Sequence, residues 1–101
     1  MRRRSPAAKI KFHPKLQAVM DRYPDAVFRI ADGFDEAVLG MAYMWTESGV
    51  RSHVLCYDAD RCVCILMDRD KMTREEAEEY FSFNVEDAYV GEGTPAFIWR
   101  S

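Results

Sequence analysis

Apolar residues recur along this chain at two spacings, and the changes from one to the other mark out its elements. Between Pro14 and Arg22, Leu16, Val19 and Met20 fall on one side at helical spacing, with Pro14 in the first turn, where its missing N–H costs nothing. Tyr23-Pro24-Asp25 ends that helix, because the residue before a proline is pushed out of the α region. Residues 27–30 alternate instead. Val27 and Arg29 share one face and Phe28 and Ile30 the other, as in a strand, and Ala31-Asp32-Gly33 is a turn signal.

From Phe34 to Trp45 the pattern fits two structures. Phe34, Val38, Met41 and Trp45 make a helical stripe that Asp35 would cap, yet residues 37–44 are apolar on every side. That suits a buried strand in which Gly40 marks a close backbone approach. Thr46-Glu47-Ser48-Gly49 reads as a loop and His53-Val54-Leu55-Cys56-Tyr57 as a strand. Asp58 or Asp60 then caps a helix from Ala59 to about Arg69 that buries Cys62, Val63, Ile65 and Leu66.

A second helix, from about Arg74 to Val85, has the most sharply defined start. Thr73 and Glu76 have capping-box spacing: the Thr73 hydroxyl accepts from the Glu76 amide, and the Glu76 carboxylate accepts from the Thr73 amide. Met72 and Ala77 stand where a hydrophobic staple packs. Ala77, Tyr80, Phe81, Val85 and Ala88 give an apolar face. Asn84 falls beside that face, where a buried amide must be hydrogen-bonded, and it is expected to tie the helix end to the turn holding Glu92 and Thr94. After Gly91-Glu92-Gly93-Thr94-Pro95, residues 96–99 read as a closing strand.

Several of these blocks carry a resemblance. Phe34-Asp35-Glu36-Ala37-Val38-Leu39-Gly40, Tyr57-Asp58 leading to Cys62 and Ile65-Leu66, Met72-Thr73 with Glu75-Glu76-Ala77, Glu79-Tyr80-Phe81, Phe83-Asn84, and Ala88 to Glu92 with Thr94-Pro95 and Phe97 together cover about two-thirds of the chain. The chain resembles a family of small uncharacterised proteins encoded in bacterial, prophage and phage genomes. The resemblance implies a shared fold and an extended segment from Phe34 to Met44, but no activity. Where family members often have a proline-containing loop before the second strand, this chain has Gly49-Val50-Arg51-Ser52. With that segment extended, the expected fold class is α+β. It is a small, mostly antiparallel sheet with two consecutive helices packed on one face and a short N-terminal helix.

Charge changes the picture at the N-terminus. Residues 1–11 hold five of the fourteen basic residues (Arg2, Arg3, Arg4, Lys9 and Lys11) and no acid, which leaves nine basic against seventeen acidic residues elsewhere, a balance of −8. The expected organisation is a flexible basic arm at 1–11 and one α+β domain at 12–101. Nucleic acid is an alternative partner through that arm alone, because the acidic body opposes broad phosphate contact and the arm has no interleaved aromatics for base stacking. The longest apolar run, Ala37 to Trp45, is about half of what a membrane span needs, and no apolar h-region follows the N-terminal arginines. A cytoplasmic protein without membrane contact is expected. Cys56, Cys62 and Cys64 are odd in number and read as reduced thiols. A zinc site from His53, Cys56 and one of the pair lacks the usual spacing and a fourth ligand, so neither metal nor cofactor is expected.

Three function classes remain. An enzyme would need Asp35, Glu36, Tyr57, Asp58, Asn84 or Glu92 to converge on a pocket, and no nucleophile–base set, phosphate loop or dinucleotide fingerprint supports one, so no catalytic residue is assigned. An interaction module is favoured. Glu75, Glu76, Glu78 and Glu79 crowd acid onto one helix, and Glu75 with Glu79 is an i,i+4 like-charge pair costing a few tenths of a kcal/mol. With Asn84, Glu92 and Thr94 they form the candidate binding set for a basic protein partner. Self-association is the third. Tyr43, Trp45, Tyr89, Phe97 and Trp99 are many large aromatics for 101 residues, and an edge strand at 96–99 wants covering, as in a homodimer.

Overall fold

The computed structural model describes residues 2–3, 12–88, 91 and 93–100. Arg4, Lys9 and Lys11 of the basic arm, Tyr89, and Glu92 of the candidate set lie outside the described residues. The elements run β1 (Arg2–Arg3), α1 (Pro14–Arg22), β2 (Arg29–Ile30), a 3₁₀ turn (Asp35–Ala37), β3 (Val38–Trp45), β4 (Arg51–Asp58), α2 (Ala59–Arg69), α3 (Arg74–Phe81), a π-helical turn (Ser82–Glu86) and β5 (Ala96–Ile98). This is an α+β fold. Arg2 and Arg3, expected in a loose arm, pair antiparallel with Ile30 and Arg29.

The ambiguous segment 34–45 divides. Its first residues make the single 3₁₀ turn, and from Val38 it is extended and paired with β4, which removes the helical alternative. The β3–β4 hairpin closes through Thr46 N donating to Val50 O at 2.8 Å and Gly49 N to Thr46 O at 3.0 Å. Gly49 takes φ +82°, a conformation open to glycine at little cost. β5 joins the other side of β4 in parallel, through Cys56↔Ala96, Tyr57↔Phe97 and Asp58↔Ile98, so the sheet order is β3-β4-β5. The connection through α2 and α3 is long enough for the crossover that a parallel neighbour requires.

Strand alternation and register divide the sheet into two unlike faces. Val38, Met41, Tyr43, Leu55, Tyr57 and Phe97 point to the helices, while Gly40, Ala42, Met44, Val54, Cys56 and Ile98 point away. A bulge between Val38 and Gly40 sets Leu39 outside this alternation. The core lies on the helical side. Leu16 and Met20 of α1, Phe28 and Ile30, Cys62, Val63 and Leu66 of α2, and Ala77 and Phe81 of α3 are all buried against Leu55 and Tyr57. Phe81 is its hub, edge-on to Phe34, Phe97 and Trp99 at 6.5, 5.2 and 5.7 Å between ring centroids. Burying such a side chain is worth about 1.5–3 kcal/mol. Val54 is buried too, but outside that cluster, on the face that no helix among the described residues covers.

Polar ties fix the layers. The buried Tyr57 hydroxyl accepts from Ala31 N at 3.0 Å and anchors the turn after β2 to the middle strand. Asp58 caps α2 by accepting from Arg61 N at 3.1 Å, and its other oxygen lies 3.3 Å from Arg100 Nη1. Trp99 Nε1 donates to Glu86 at 2.6 Å and joins the tail to the π-helical turn.

Candidate functional site

The capping box predicted from Thr73 and Glu76 is formed. Glu76 N donates to Thr73 Oγ1 at 3.2 Å, and Thr73 N donates to Glu76 Oε1 at 2.9 Å. The Thr73 backbone N–H, and then its hydroxyl, hold the Glu76 carboxyl below its ordinary range. Glu78 is engaged as well. Arg74 Nε donates to it at 2.8 Å, and that bond, with the Glu78 charge, raises the Arg74 guanidinium above its usual value. Arg74 also lies 3.9 Å from Asp60 of α2. Two of the four glutamates therefore build the helix itself. Glu75 and Glu79 are exposed, and among the described residues neither is held by a hydrogen bond or ion pair.

Beside these carboxylates the surface turns aromatic. Past Phe81 the backbone widens into the π-helical turn, the kind of irregularity that is frequent at functional sites. It delivers Phe83 to solvent at 72% exposure, while Phe81, two residues earlier, is wholly buried. Tyr80, expected on the buried face, is 43% exposed. Asn84 also departs from expectation. It is exposed, and its amide donates to Tyr80 O at 3.1 Å, one turn back along its own helix. Thr94 belongs to a different turn and donates to Gly91 O at 2.5 Å. The extra residue in the π-helical turn defeats the α-helical spacing on which Asn84 was placed beside the buried face. Met72, Glu76, Glu79, Tyr80, Phe83 and Asn84 together line a shallow groove of about 390 Å³.

Among the described residues the enzyme constellation does not assemble. Asp35 and Glu36 line a cleft of about 560 Å³ with His13, Asp32, Asp68 and Arg69. Tyr57 is instead buried in the core, Asp58 caps α2, and Asn84 lies on the α3 surface. Within the cleft Glu36 is paired with Arg61 at 2.7 Å, His13 Nδ1 accepts from Lys15 N at 3.2 Å, and Arg69 donates to Gly33 O at 2.9 Å. Among the described residues no group of three His, Cys, Asp or Glu is placed to hold a metal ion. His53 is occupied by aromatic neighbours, with Tyr43 at 4.8 Å and Tyr23 at 5.9 Å. Cys62 is in the core, where burial and then the nearby Asp58 charge push its thiol up to about 12, and burial raises Cys56 too. Neither is an activated nucleophile.

No helix among the described residues is long and apolar enough to cross a membrane. In comparison with known proteins, no family model, no curated protein and no solved structure matches this chain. The acidic and aromatic surface of α3 is thus identified by its own geometry. Of the residues lining this groove, the binding set read from the sequence holds Glu76, Glu79 and Asn84 and leaves out Met72, Tyr80 and Phe83, while its Glu75, Glu78 and Thr94 lie outside the groove. The signal available for Phe83 was its separation of two from Phe81, which no single helical face can bury together.

Proposed function

We propose that this chain is a non-catalytic accessory protein of a phage or mobile element that works in the cytoplasm by protein–protein contact. It modulates, including by inhibition, a host or defence complex that presents a basic surface. The phage-type origin rests on the sequence resemblance. The contact surface rests on one observation: Glu79, unpaired among the described residues, lines one groove with Glu76 and the exposed rings of Tyr80 and Phe83, and Glu75 stands one helical turn before Glu79 on α3. An exposed aromatic anchor beside carboxylates fits a partner that offers Lys or Arg around an apolar pocket, since aromatic anchors supply contact energy and charges supply steering and register. The scattering of the acid pairs supports binding over catalysis.

The test is capture of a partner from a host extract by the immobilised full chain, with Glu75→Lys/Glu79→Lys and Phe83→Ala as separate variants. Capture of one partner that both variants lose, and that weakens as salt rises, is the expected result. Equal capture by wild type and both variants would remove the reading, provided circular dichroism shows all three folded alike.

A further inference from the structure

We propose that β3 pairs with β3 of a second copy across a two-fold axis at Tyr43, joining two three-stranded sheets into one of six strands. β3 is eight residues long, and β4 is its only hydrogen-bonded strand neighbour among the described residues. Several of the usual protections of an edge are missing among the described residues. Val38–Trp45 holds no charged residue and no proline, and its bulge lies at one end, which leaves Gly40–Trp45 regular.

The ladder fixes which backbone groups are open. Thr46 N donates to Val50 O, so that pair is a hydrogen-bonded one. Alternation then makes Met44↔Ser52 and Ala42↔Val54 hydrogen-bonded pairs and leaves Trp45↔Arg51, Tyr43↔His53 and Met41↔Leu55 non-bonded. The close Tyr43–His53 ring contact agrees, because side chains approach most nearly at non-bonded pairs. Met41, Tyr43 and Trp45 therefore aim their N–H and C=O away from β4. A two-fold axis perpendicular to the sheet keeps each face continuous only if paired residues share a face. Centring it on Tyr43 sets Tyr43 opposite its copy and Met41 opposite Trp45, so every outward group of these three residues finds a partner.

The side chains suit the same occupant. Leu39, Tyr43, Met44 and Trp45 are 50%, 48%, 51% and 72% exposed, and with Val50 beside them they leave on the order of 600 Å² of apolar surface on each copy. That exposed surface is smaller than the ~800 Å² per partner of a standard interface, so the paired backbone carries part of the contact. Arg51 lies over the Tyr43 ring at 4.3 Å and the Trp45 ring at 5.5 Å, bracing both for contact. β3 itself carries no charged residue, and the Arg51 of each copy is held over its own Tyr43 and Trp45 rings. This surface is separate from the α3 groove.

Sedimentation velocity of the full chain across a range of concentrations tests the proposal. Wild type should sediment at twice the 11.7 kDa chain mass, and Trp45→Lys, which places a charge at an exposed position, should stay at chain mass throughout. Tyr43→Cys should form a covalent dimer under mild oxidation well above the background from the native cysteines. A wild-type monomer at hundred-micromolar chain concentration overturns the proposal. So do species larger than a dimer, and so does a dimer that survives Trp45→Lys with no enhanced crosslinking through Tyr43→Cys.

Discussion

Replacing Tyr57 with phenylalanine removes the hydroxyl that anchors the turn after β2 to the middle strand. The ring is fully buried and packs on Phe97 at 5.6 Å between centroids, and its hydroxyl accepts from Ala31 N at 3.0 Å. Tyr57→Phe keeps the ring and that packing, so little transfer energy is lost. It removes the acceptor from an amide whose residue is 1% exposed. Leaving a buried donor unsatisfied costs about 1–3 kcal/mol. In a domain of about 100 residues each kcal/mol moves the melting temperature by about 4–8 °C, so a fall of about 5–20 °C is expected. Thermal unfolding followed by circular dichroism at one fixed chain concentration measures it. Tyr80→Phe serves as the exposed control and should stay within about 0.5 kcal/mol of wild type. If Tyr57→Phe melts with wild type, the Ala31 amide is satisfied some other way, and the turn after β2 is not anchored through this bond.

Three further outcomes follow from local chemistry. Thr73→Ala should cost about 1 kcal/mol through loss of the cap, measured by urea unfolding. Because the folded state holds Glu76 below its ordinary 4.5, its contribution is complete above that pH and fades as pH falls through the lower folded value; Glu76→Gln should remove this part of the acid dependence. Thiol labelling should modify Cys64 readily in the native protein and Cys62 only on unfolding, given complete burial and a thiol pushed up to about 12. Rapid native labelling of Cys62 would contradict the core assignment.

The elements with a local chemical signature were legible in the sequence. Pro14 and the Tyr23-Pro24 break bound α1, Asp58 begins α2, and Thr73 with Glu76 begins α3, because capping is decided within a few residues. Segment 34–45 was not, since apolar residues on all sides erase periodicity. Its strand conformation is set by pairing with β4, which propensity cannot see. The parallel placement of β5 was equally hidden, being fixed by where α2 and α3 pack. At the candidate site, charge pattern alone marked Glu75 and Glu79. The π-helical turn at Ser82–Glu86 broke the 3.6-residue rule that had put Asn84 beside the buried side, while Tyr80 lies before it on regular helix, at the margin of the buried face.

Amide chemical-shift mapping of the labelled full chain, titrated with the partner it captures, tests the docking surface most directly. The perturbed amides should cluster between Met72 and Asn84, strongest around Glu79, Tyr80 and Phe83, and vanish for Phe83→Ala. Perturbations centred on the cleft of His13, Asp35 and Arg69, with the α3 surface silent, would contradict it.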